Sequence, residues 1–483
     1  MVEAFRRWAD RKPTKSALTV EGATVSFAEL DTKSNRLARA LLQLGVDYGD
    51  FVTIALPNSL GFIEAALAVL KVGAVVQPVS HRLTLRERQT IVELAQSKLV
   101  IGAPPEAHPG RQCILDLAHL VLPSDAGRLP VRISPAWRAP TSGGSTGRPK
   151  LIVSVAPAVL NDHAPPDYML PTDSSVVIPG PLFHSGPLGI TLTALWYGNH
   201  VVLERRFDAR ETLRLVVLHR AEYLLLVPTM MHRIWRLPAA EKDVDLSSLK
   251  VVLHFASSCS IWLKKNWIEW LGPDRIFELY SAADGPARTV ISGTEWLEHK
   301  GSVGRCVRGE ITILDDDGNK LGPGEPGEIW MRPEPGGPPK SYYIGAEARE
   351  RDGWLSVGDL GWMDDGGYLY IVDRRTDLIV SGGENVYPAE VEAALDEHPG
   401  VSSSAVIGLP DDDLGQRVHA IVQVTSGVTE RDLQDHMTVR LVRYKLPRSY
   451  EFVNFPLRDD AGKVRRSGLL SDRIDGSTTA KTS

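Results

Sequence analysis

The sequence predicts an α/β protein with a large layered N-terminal domain built on mostly parallel sheets, followed by a small C-terminal α+β lid domain. Three observations support this prediction. The chain has 483 residues, more than one hydrophobic core usually serves. Short apolar runs alternate with helix-length segments up to about residue 308, and after that point the sequence becomes rich in turns and short strands.

The first clear element is an amphipathic helix at 27–44. Leu30, Leu37, Leu41 and Leu44 fall near one helical face, and Gly45 follows as a stop signal. Short β-branched runs then recur between helix-length segments, which is the order of a layered fold with parallel strands. The predicted strands are 52–56, 74–78, 99–101, 176–179, 200–203 and 223–227.

Two turn-rich segments, 315–318 and 322–328, show that the last third of the chain changes from alternating strands and helices to short strands joined by turns. Segment 366–380 predicts two strands around 373–376, and 388–398 predicts a helix with Pro388 in its first turn. We therefore predict a large domain at 1–373, a hinge at 374–376 and a small lid domain at 377–483.

Composition narrows the class of function. A net charge of -6 with pI near 6.1 gives no overall field that would attract nucleic acid. The cysteines Cys113, Cys259 and Cys306 are few and far apart, which argues against a disulfide framework or a zinc site. The N-terminus lacks a secretory signal and the apolar runs are too short to span a bilayer, so we predict a cytoplasmic protein.

Segment 141–150, TSGGSTGRPK, concentrates hydroxyls, glycines and a terminal lysine, which is typical of oxyanion binding. A flexible Gly/Ser linker is the alternative, but a linker seldom ends in Arg-Pro-Lys followed by a β-run. The spacing differs from GxxxxGK[ST], which disfavours a P-loop kinase or ATPase. The predicted phosphate-binding residues are Thr141, Ser142, Gly143, Gly144, Ser145, Thr146, Gly147 and Lys150.

Further motifs follow this loop in a characteristic order: PLFH at 181–184, GWLSVGD at 353–359, DRRTD at 373–377, SGGENVYP at 381–388 and GK at 462–463, with LPNS at 56–59 before it. Together they resemble the adenylate-forming family of acyl-CoA synthetases, luciferases and peptide-synthetase adenylation domains, nearly end to end. The resemblance implies an AMP-forming acid-thiol ligase that uses ATP and coenzyme A, activates a carboxylic acid as acyl-AMP, and alternates its two domains.

The resemblance also implies roles for single residues. Asp359 matches the carboxylate that accepts both ribose hydroxyls, and Arg374 matches an arginine near the nucleotide and hinge. Thr376 stands at the hinge, where the family usually has Asp or Lys. Lys463 matches the catalytic lysine that bridges the substrate carboxylate and the α-phosphate; its alternative role is a solvated lysine.

Gly382 and Gly383 match a family hairpin that lines the pantetheine channel of coenzyme A after the lid rotates. His184 matches a catalytic-site residue at the junction of the acyl and pantetheine sites, with a buried structural histidine as the alternative. Segment 254–260 and the WIEWL run at 267–271 resemble ligases of bulky hydrophobic acids, although Trp235, Trp262 and Trp267 could equally be core residues.

One segment departs from the family. YSAADG at 280–285 stands where relatives carry Tyr-Gly-x-Thr-Glu, so Ala283 lacks a hydroxyl donor for the phosphate and Asp284, the implied Mg²⁺ ligand, is one methylene short. We predict an impaired adenylation step, with an ordinary two-step ligase as the alternative. The remaining nucleotide-binding residues implied by the resemblance are Ser257, Tyr280, Ser281 and Ala282.

Other functions stay open at this point. An adenylation enzyme that loads a separate carrier protein would share these motifs, and a nucleotide-binding regulator would have lost several of them. An impaired first step would also require another enzyme to supply the acyl-adenylate. The predicted small-molecule partners are therefore coenzyme A and a bulky, hydrophobic carboxylic acid or its acyl-adenylate. A separate adenylating enzyme is a possible protein partner, and no nucleic acid is expected to bind.

Overall fold

The structure is a computed structural model that describes residues 1–143, 149–154, 167–282, 286–334, 341–425, 427–459 and 462–474. Six of the predicted site residues lie outside the described residues: Gly144, Ser145, Thr146, Gly147, Ala283 and Asp284.

The helices of the described residues follow the predicted alternation. They are α1 (Val2–Arg11), α2 (Phe27–Gln43), α3 (Leu60–Val72), α4 (Leu85–Ala95), α5 (Ser185–Trp196), α6 (Ala209–Leu218), α7 (Pro228–Trp235), α8 (Ala239–Lys242), α9 (Ile261–Leu271), α10 (Gly293–Glu298), α11 (Pro388–Asp396), α12 (Glu430–Thr438) and α13 (Arg466–Ile474).

The strands are β1 (Ser16–Val20), β2 (Ala23–Ser26), β3 (Phe51–Ile54), β4 (Val75–Pro78), β5 (Leu99–Ile101), β6 (Gln112–Ile114), β7 (Thr141–Gly143), β8 (Pro149–Ser154), β9 (Ser175–Ile178), β10 (His200–Leu203), β11 (Tyr223–Leu226), β12 (Val251–His254), β13 (Ile276–Ser281), β14 (Arg288–Ser292), β15 (Ser302–Arg308), β16 (Glu310–Leu314), β17 (Gly327–Arg332), β18 (Ser341–Ile344), β19 (Glu350–Arg351), β20 (Trp354–Met363), β21 (Leu369–Arg374), β22 (Ile379–Ser381), β23 (Glu384–Val386), β24 (Val401–Asp411), β25 (Gly415–Val424) and β26 (Ser449–Phe452).

Local sequence explains where several helices begin. Ser26 accepts the backbone N–H of Glu29 while the Glu29 carboxylate accepts the backbone N–H of Ser26, which is a capping box at the start of α2. The same reciprocal arrangement of Thr84 and Glu87 opens α4. The predicted helix at 27–44 is therefore confirmed to within one residue, and its end is followed by Gly45 in the left-handed region at φ 77°.

The largest sheet has 14 strands in the order β16-β17-β20-β21-β15-β14-β13-β12-β11-β9-β10-β1-β2, with β19 on the edge of β20. Its run from β1 through β10, β9, β11 and β12 to β13 is parallel. From β13 onward every pairing in it is antiparallel. The prediction of mostly parallel sheets therefore holds for one half of this sheet only, because antiparallel neighbours such as β16 and β17, or β20 and β21, need no crossover helix between them.

A second sheet, β4-β3-β5-β6, is parallel throughout, and β7, β8 and β18 form a small antiparallel sheet. Helix α3 lies between this second sheet and the 14-stranded sheet and is buried on nearly all sides, which explains why its sequence is apolar apart from Glu64 and Lys71. The largest hydrophobic cluster surrounds it and includes Phe5, Phe27, Phe62, Trp196 and Tyr223.

Residues after 378 have a hydrophobic cluster of their own, drawn from α11, α12 and the sheet β23-β22-β25-β24 with β26. This part contacts the remainder at defined points. Arg236, directly after α7, donates hydrogen bonds to the carbonyl oxygens of Asp396, His398 and Pro399 at 3.1, 3.0 and 3.2 Å. Those carbonyls lie at the C-terminal end of α11, where backbone acceptors lack partners within the helix. The domain boundary itself stays a prediction.

Within the described residues, no helix combines the length and the apolar character needed to cross a lipid bilayer.

Candidate functional site

A cavity of about 3370 Å³ opens at the carboxyl ends of the parallel strands β9, β12 and β13. Segments that follow these strands line it, including 180–187 and 255–260, and residues of the C-terminal part close it from the other side. Open α/β sheets bind their ligands at the carboxyl ends of the parallel strands, since the loops that follow neighbouring strands form a crevice there.

Three of the predicted nucleotide-binding residues meet on one wall of this cavity. The Tyr280 hydroxyl donates to Asp359 Oδ2 at 2.7 Å, and Arg374 Nε lies 3.4 Å from Asp359 Oδ1. The register of β20 and β21 causes the second contact, because it pairs Asp359 with Arg374 across the ladder. Burial raises the pKa of Asp359, while Arg374 and the Tyr280 hydroxyl oppose that rise.

Lys463 enters the same cavity from the C-terminal part. Surrounding protein lowers the pKa of its ammonium, and Arg374 lowers it further, while Asp459 and Asp359 oppose this. Much of the side chain is nevertheless open to water, because the cavity is wide. The structure thus brings Lys463 to the carboxylate that the sequence assigned to the ribose.

Gly462 explains how the loop before Lys463 reaches this position. Its φ is +77°, and a Cβ there would lie 2.6 Å from Thr229 Oγ1, in the first turn of α7. Only glycine adopts this conformation and this approach without strain. The backbone of the C-terminal part therefore rests directly on α7 beside Lys463, the predicted catalytic lysine.

Only part of the predicted phosphate loop lies among the described residues. Strands β7 and β8 are antiparallel, with Thr141 opposite Leu151 and Ser142 opposite Lys150. The two ends of the loop are therefore held side by side. Thr141 and Lys150 line the cavity, and Lys150 Nζ lies 3.9 Å from the centroid of the Tyr343 ring. Thr141 Oγ1 is buried without a hydrogen-bond partner among the described residues, as a donor reserved for a ligand would be.

The remaining predicted residues of this region also line the cavity: His184, Ser257, Ser281 and Ala282. His184 stands directly before α5, with its ring 4.6 Å from that of Phe183. Ser281 Oγ donates to the Ala287 carbonyl at 2.9 Å, which holds the end of β13 close to the start of β14.

The glycine hairpin is not brought to this site. Gly382 and Gly383 form the turn between β22 and β23 with φ of 59° and 84°, and neither is among the residues that line the cavity. The Gly382 N–H donates to the Leu414 carbonyl at 2.9 Å. In this arrangement Lys463, and not the hairpin, faces the nucleotide-binding wall.

The tryptophan-based interpretation of the acyl site needs correction. Trp235, Trp262 and Trp267 lie around α7 and α9 in a second hydrophobic cluster, outside the cavity lining. Trp267 is fully buried and donates its indole N–H to the Met231 carbonyl at 3.2 Å. Helix-to-helix packing of α7 against α9 accounts for these side chains, so they give no information on the acyl group.

Two cavity residues were not singled out by the sequence analysis, although Phe255 falls within the segment 254–260 that it named. Phe255 follows β12, and its ring packs so closely on Gly186 that a Cβ there would lie 2.4 Å from Phe255 Cε2. Arg138 precedes β7 and reaches the first turn of α5, where its guanidinium donates to the Ser185 carbonyl. Phe255 could have been suspected from its place after an apolar strand, whereas nothing in the sequence connects Arg138 with α5.

Among the residues that the structure describes, no group of three or more His, Cys, Asp or Glu side chains is arranged to hold a metal ion. The predicted Mg²⁺ ligand Asp284 lies outside that set.

Comparisons with known proteins agree with this geometry. The family model of AMP-binding enzymes matches residues 5–336, and the model of their C-terminal domain matches 390–463. The chain is 29% identical to 2-succinylbenzoate–CoA ligase of Bacillus licheniformis, over 96% of this chain and 98% of the relative. It is 31% identical to feruloyl-CoA synthase of an Amycolatopsis species, over 95% and 96%.

Among solved structures, o-succinylbenzoate coenzyme A synthetase of Bacillus subtilis, in complex with ATP and a magnesium ion, superposes with a TM-score of 0.82. It is 27% identical, and the match covers 96% of this chain and 98% of the other. The motifs, the shared wall of Tyr280, Asp359, Arg374 and Lys463, and these matches lead to one conclusion. The chain belongs to the AMP-binding enzyme family, and it is an acyl-CoA ligase that works through an acyl-adenylate.

Proposed function

We propose that this ligase converts a large, mainly apolar carboxylic acid to its coenzyme A thioester, and that it does so better from a supplied acyl-adenylate than from free acid and ATP. The observation that carries the second half of the proposal is the pair Ala283 and Asp284, at positions where the family resemblance implies Thr and Glu. Ala283 has no donor for the phosphate, and the shorter Asp284 withdraws its carboxylate by about 1.5 Å, one carbon–carbon bond.

Mg²⁺ requires near-ideal geometry at roughly 2.0–2.1 Å, so a withdrawn carboxylate would hold the ion through water or release it. Thioester formation from acyl-AMP needs neither ATP nor this ion, because the leaving group is already attached. The other parts of the nucleotide wall support binding of AMP itself, since the Tyr280 hydroxyl, Asp359 and Arg374 contact one another. The first half-reaction should therefore suffer more than the second.

The apolar character of the acid is inferred from the cavity beside α5. Phe183, Phe255 and Ile190 line it and would be covered by an acyl group. Burial of apolar surface then supplies most of the affinity. Strong preference for acetate or an amino acid over terpenoid, steroid or long aliphatic acids in thioester formation would contradict this part.

The double variant Ala283→Thr with Asp284→Glu tests the adenylation proposal. We expect it to raise acid-dependent pyrophosphate release in ATP and Mg²⁺ by about tenfold, the scale of one charge-assisted contact. Thioester formation from synthetic acyl-AMP should stay unchanged. Rapid pyrophosphate release by the unaltered protein, equal to its rate with acyl-AMP and coenzyme A, would identify an ordinary two-step ligase instead. Replacing coenzyme A by a phosphopantetheinylated carrier protein in the same assay tests the carrier-loading alternative.

We also propose that residues 377–483 form a lid that pivots at 374–376, and that Arg236 holds it in the arrangement that brings Lys463 to the cavity. Its three carbonyl acceptors are those of Asp396, the last residue of α11, and of His398 and Pro399, which follow it. Arg236→Ala is expected to lower pyrophosphate release about fivefold, because exposed hydrogen bonds contribute about 1 kcal/mol. The rate from supplied acyl-AMP should not fall. Arg214→Ala, which removes an exposed arginine from α6, is the control, and equal loss of both half-reactions would contradict the proposal.

A further inference from the structure

Arg138 occupies a place in the cavity wall that the adenylation chemistry does not use. Its guanidinium lies against the first turns of α5, where Gly189 leaves room: a Cβ at that position would lie 2.5 Å from Arg138 Nη1. The Trp137 ring supports the guanidinium from one side, with Cζ 4.1 Å from the ring centroid. The Tyr168 hydroxyl is hydrogen-bonded to it from another. These contacts therefore hold the Arg138 guanidinium in one position in the cavity wall.

The charge of Arg138 is not balanced by a carboxylate among the described residues. Two fully buried lysines of the described residues each have one: Lys71 with Asp31 at 2.6 Å, and Lys264 with Glu278 at 2.6 Å. Burial lowers the pKa of Arg138, and the Tyr168 hydroxyl opposes this only in part. The side chain of Arg138 is partly buried, and a partly desolvated charge without an ionic partner is unfavourable, which is why such charges are normally paired or reserved for a ligand.

The position of this cation relative to α5 indicates which ligand would reach it. Ile190, Thr193 and Tyr197 recur at helical spacing along α5 and line the cavity, so an extended group can lie along this helix. Arg138 contacts the neighbouring Ser185 and Gly189 face of the same helix. Arg288 Cζ lies 5.3 Å from the centroid of the Tyr168 ring and adds a second positive charge near that ring.

We propose that Arg138, together with the Tyr168 hydroxyl, binds a second carboxylate on the acyl group, so that the acid is a dicarboxylic acid with an apolar body. This inference rests on the proposed acyl-binding role of the cavity beside α5. Guanidinium and carboxylate match in shape and charge, and a hydroxyl donor completes the set of acceptor contacts. The reacting carboxyl group is activated at the nucleotide wall, while the second one orients the substrate and takes no part in bond making.

The test compares matched pairs of acyl-adenylates that share one carbon skeleton and differ only in a terminal carboxylate, for example 4-phenylbutanoyl-AMP and its para-carboxyphenyl counterpart. Thioester formation with coenzyme A is measured for the full chain. We expect about a tenfold higher kcat/KM for the carboxylated member. Arg138→Met should remove that advantage mainly through KM and leave the other member unaffected or improved. Arg138→Lys should retain part of the advantage of the carboxylated member. The control Arg305→Met, at an exposed site, should change neither kcat/KM value.

Tyr168→Phe provides a second variant in case Arg138→Met does not fold, and a carboxylate-specific loss of about twofold to fivefold is expected from it. Equal turnover of both members by the unaltered protein, or a preference that survives Arg138→Met, overturns the dicarboxylate proposal while leaving the ligase function intact. Failure to form thioester from any acyl-adenylate would instead overturn the proposed function.

Discussion

Replacing Lys463 by alanine is expected to lower acid-dependent pyrophosphate release by about 100-fold, because a charge-assisted contact of about 1.5–3 kcal/mol disappears from the developing acyl-adenylate. Lys463 shares the cavity with Asp359 and Arg374, and both influence its pKa. Pyrophosphate release from acid, ATP and Mg²⁺ measures this step directly. Thioester formation from supplied acyl-AMP should keep most of its rate, since the adenylate is already made.

Lys250→Ala is the matched control, because Lys250 is an exposed lysine paired with Glu222 far from the cavity. It should change neither half-reaction. If Lys463→Ala slows thioester formation as much as pyrophosphate release, the lysine stabilises the protein or the lid rather than the adenylation step. Normal pyrophosphate release by this variant would remove Lys463 from the catalytic residues altogether.

Substituting alanine for Gly462 should impair adenylation nearly as much, although the new side chain is only a methyl group. The backbone there has φ +77°, which costs a residue with a Cβ about 1–2 kcal/mol, and the methyl group would lie 2.6 Å from Thr229 Oγ1. The loop must therefore move away from α7 and carry Lys463 with it. A displacement of about 1 Å at a reacting centre can cost 100-fold in rate.

Two further variants separate displacement from loss of folding. Thr229→Ala removes the closest contact atom, so the double variant with Gly462→Ala should recover part of the pyrophosphate release that the single variant lost. Gly468→Ala lies in α13 with nothing within 4 Å of the new Cβ and should have no effect. If Gly462→Ala retains full activity, the contact with α7 does not position Lys463.

Local signals predicted much of this fold. The strands at 99–101 and 200–203 have the predicted bounds, and α2 and α11 begin at the predicted residues, because capping boxes, proline at a first turn and apolar periodicity act over a few residues. Motif resemblance assigned Asp359, Tyr280 and Arg374 to the nucleotide site, while their contacts with one another are seen in the structure, where the ladder of β20 and β21 pairs Asp359 with Arg374.

Features that depend on long-range contacts were not predicted. The antiparallel half of the large sheet requires knowledge of which strands become neighbours, and strand periodicity alone does not distinguish the two directions. The sequence left Trp267 open as a ligand-binding or a core residue, because large aromatic side chains serve both cores and pockets, and the structure places it in the core. Arg138 and Arg236 act on segments about 50 and 160 residues away in sequence, and no local pattern announces such partners.

The position of β21, the last strand of the large sheet in chain order, has a thermodynamic consequence for ligand binding. Arg374 ends β21 at the predicted pivot and is also the ladder partner of Asp359. A ligand that engages Asp359 therefore acts on the residue about which the C-terminal part would turn, and any turn of that part acts on the ligand. By reciprocity, the free energy by which a bound nucleotide favours one lid orientation equals the free energy by which that orientation tightens the nucleotide. AMP affinity measured with the lid held in each orientation would give the size of this coupling.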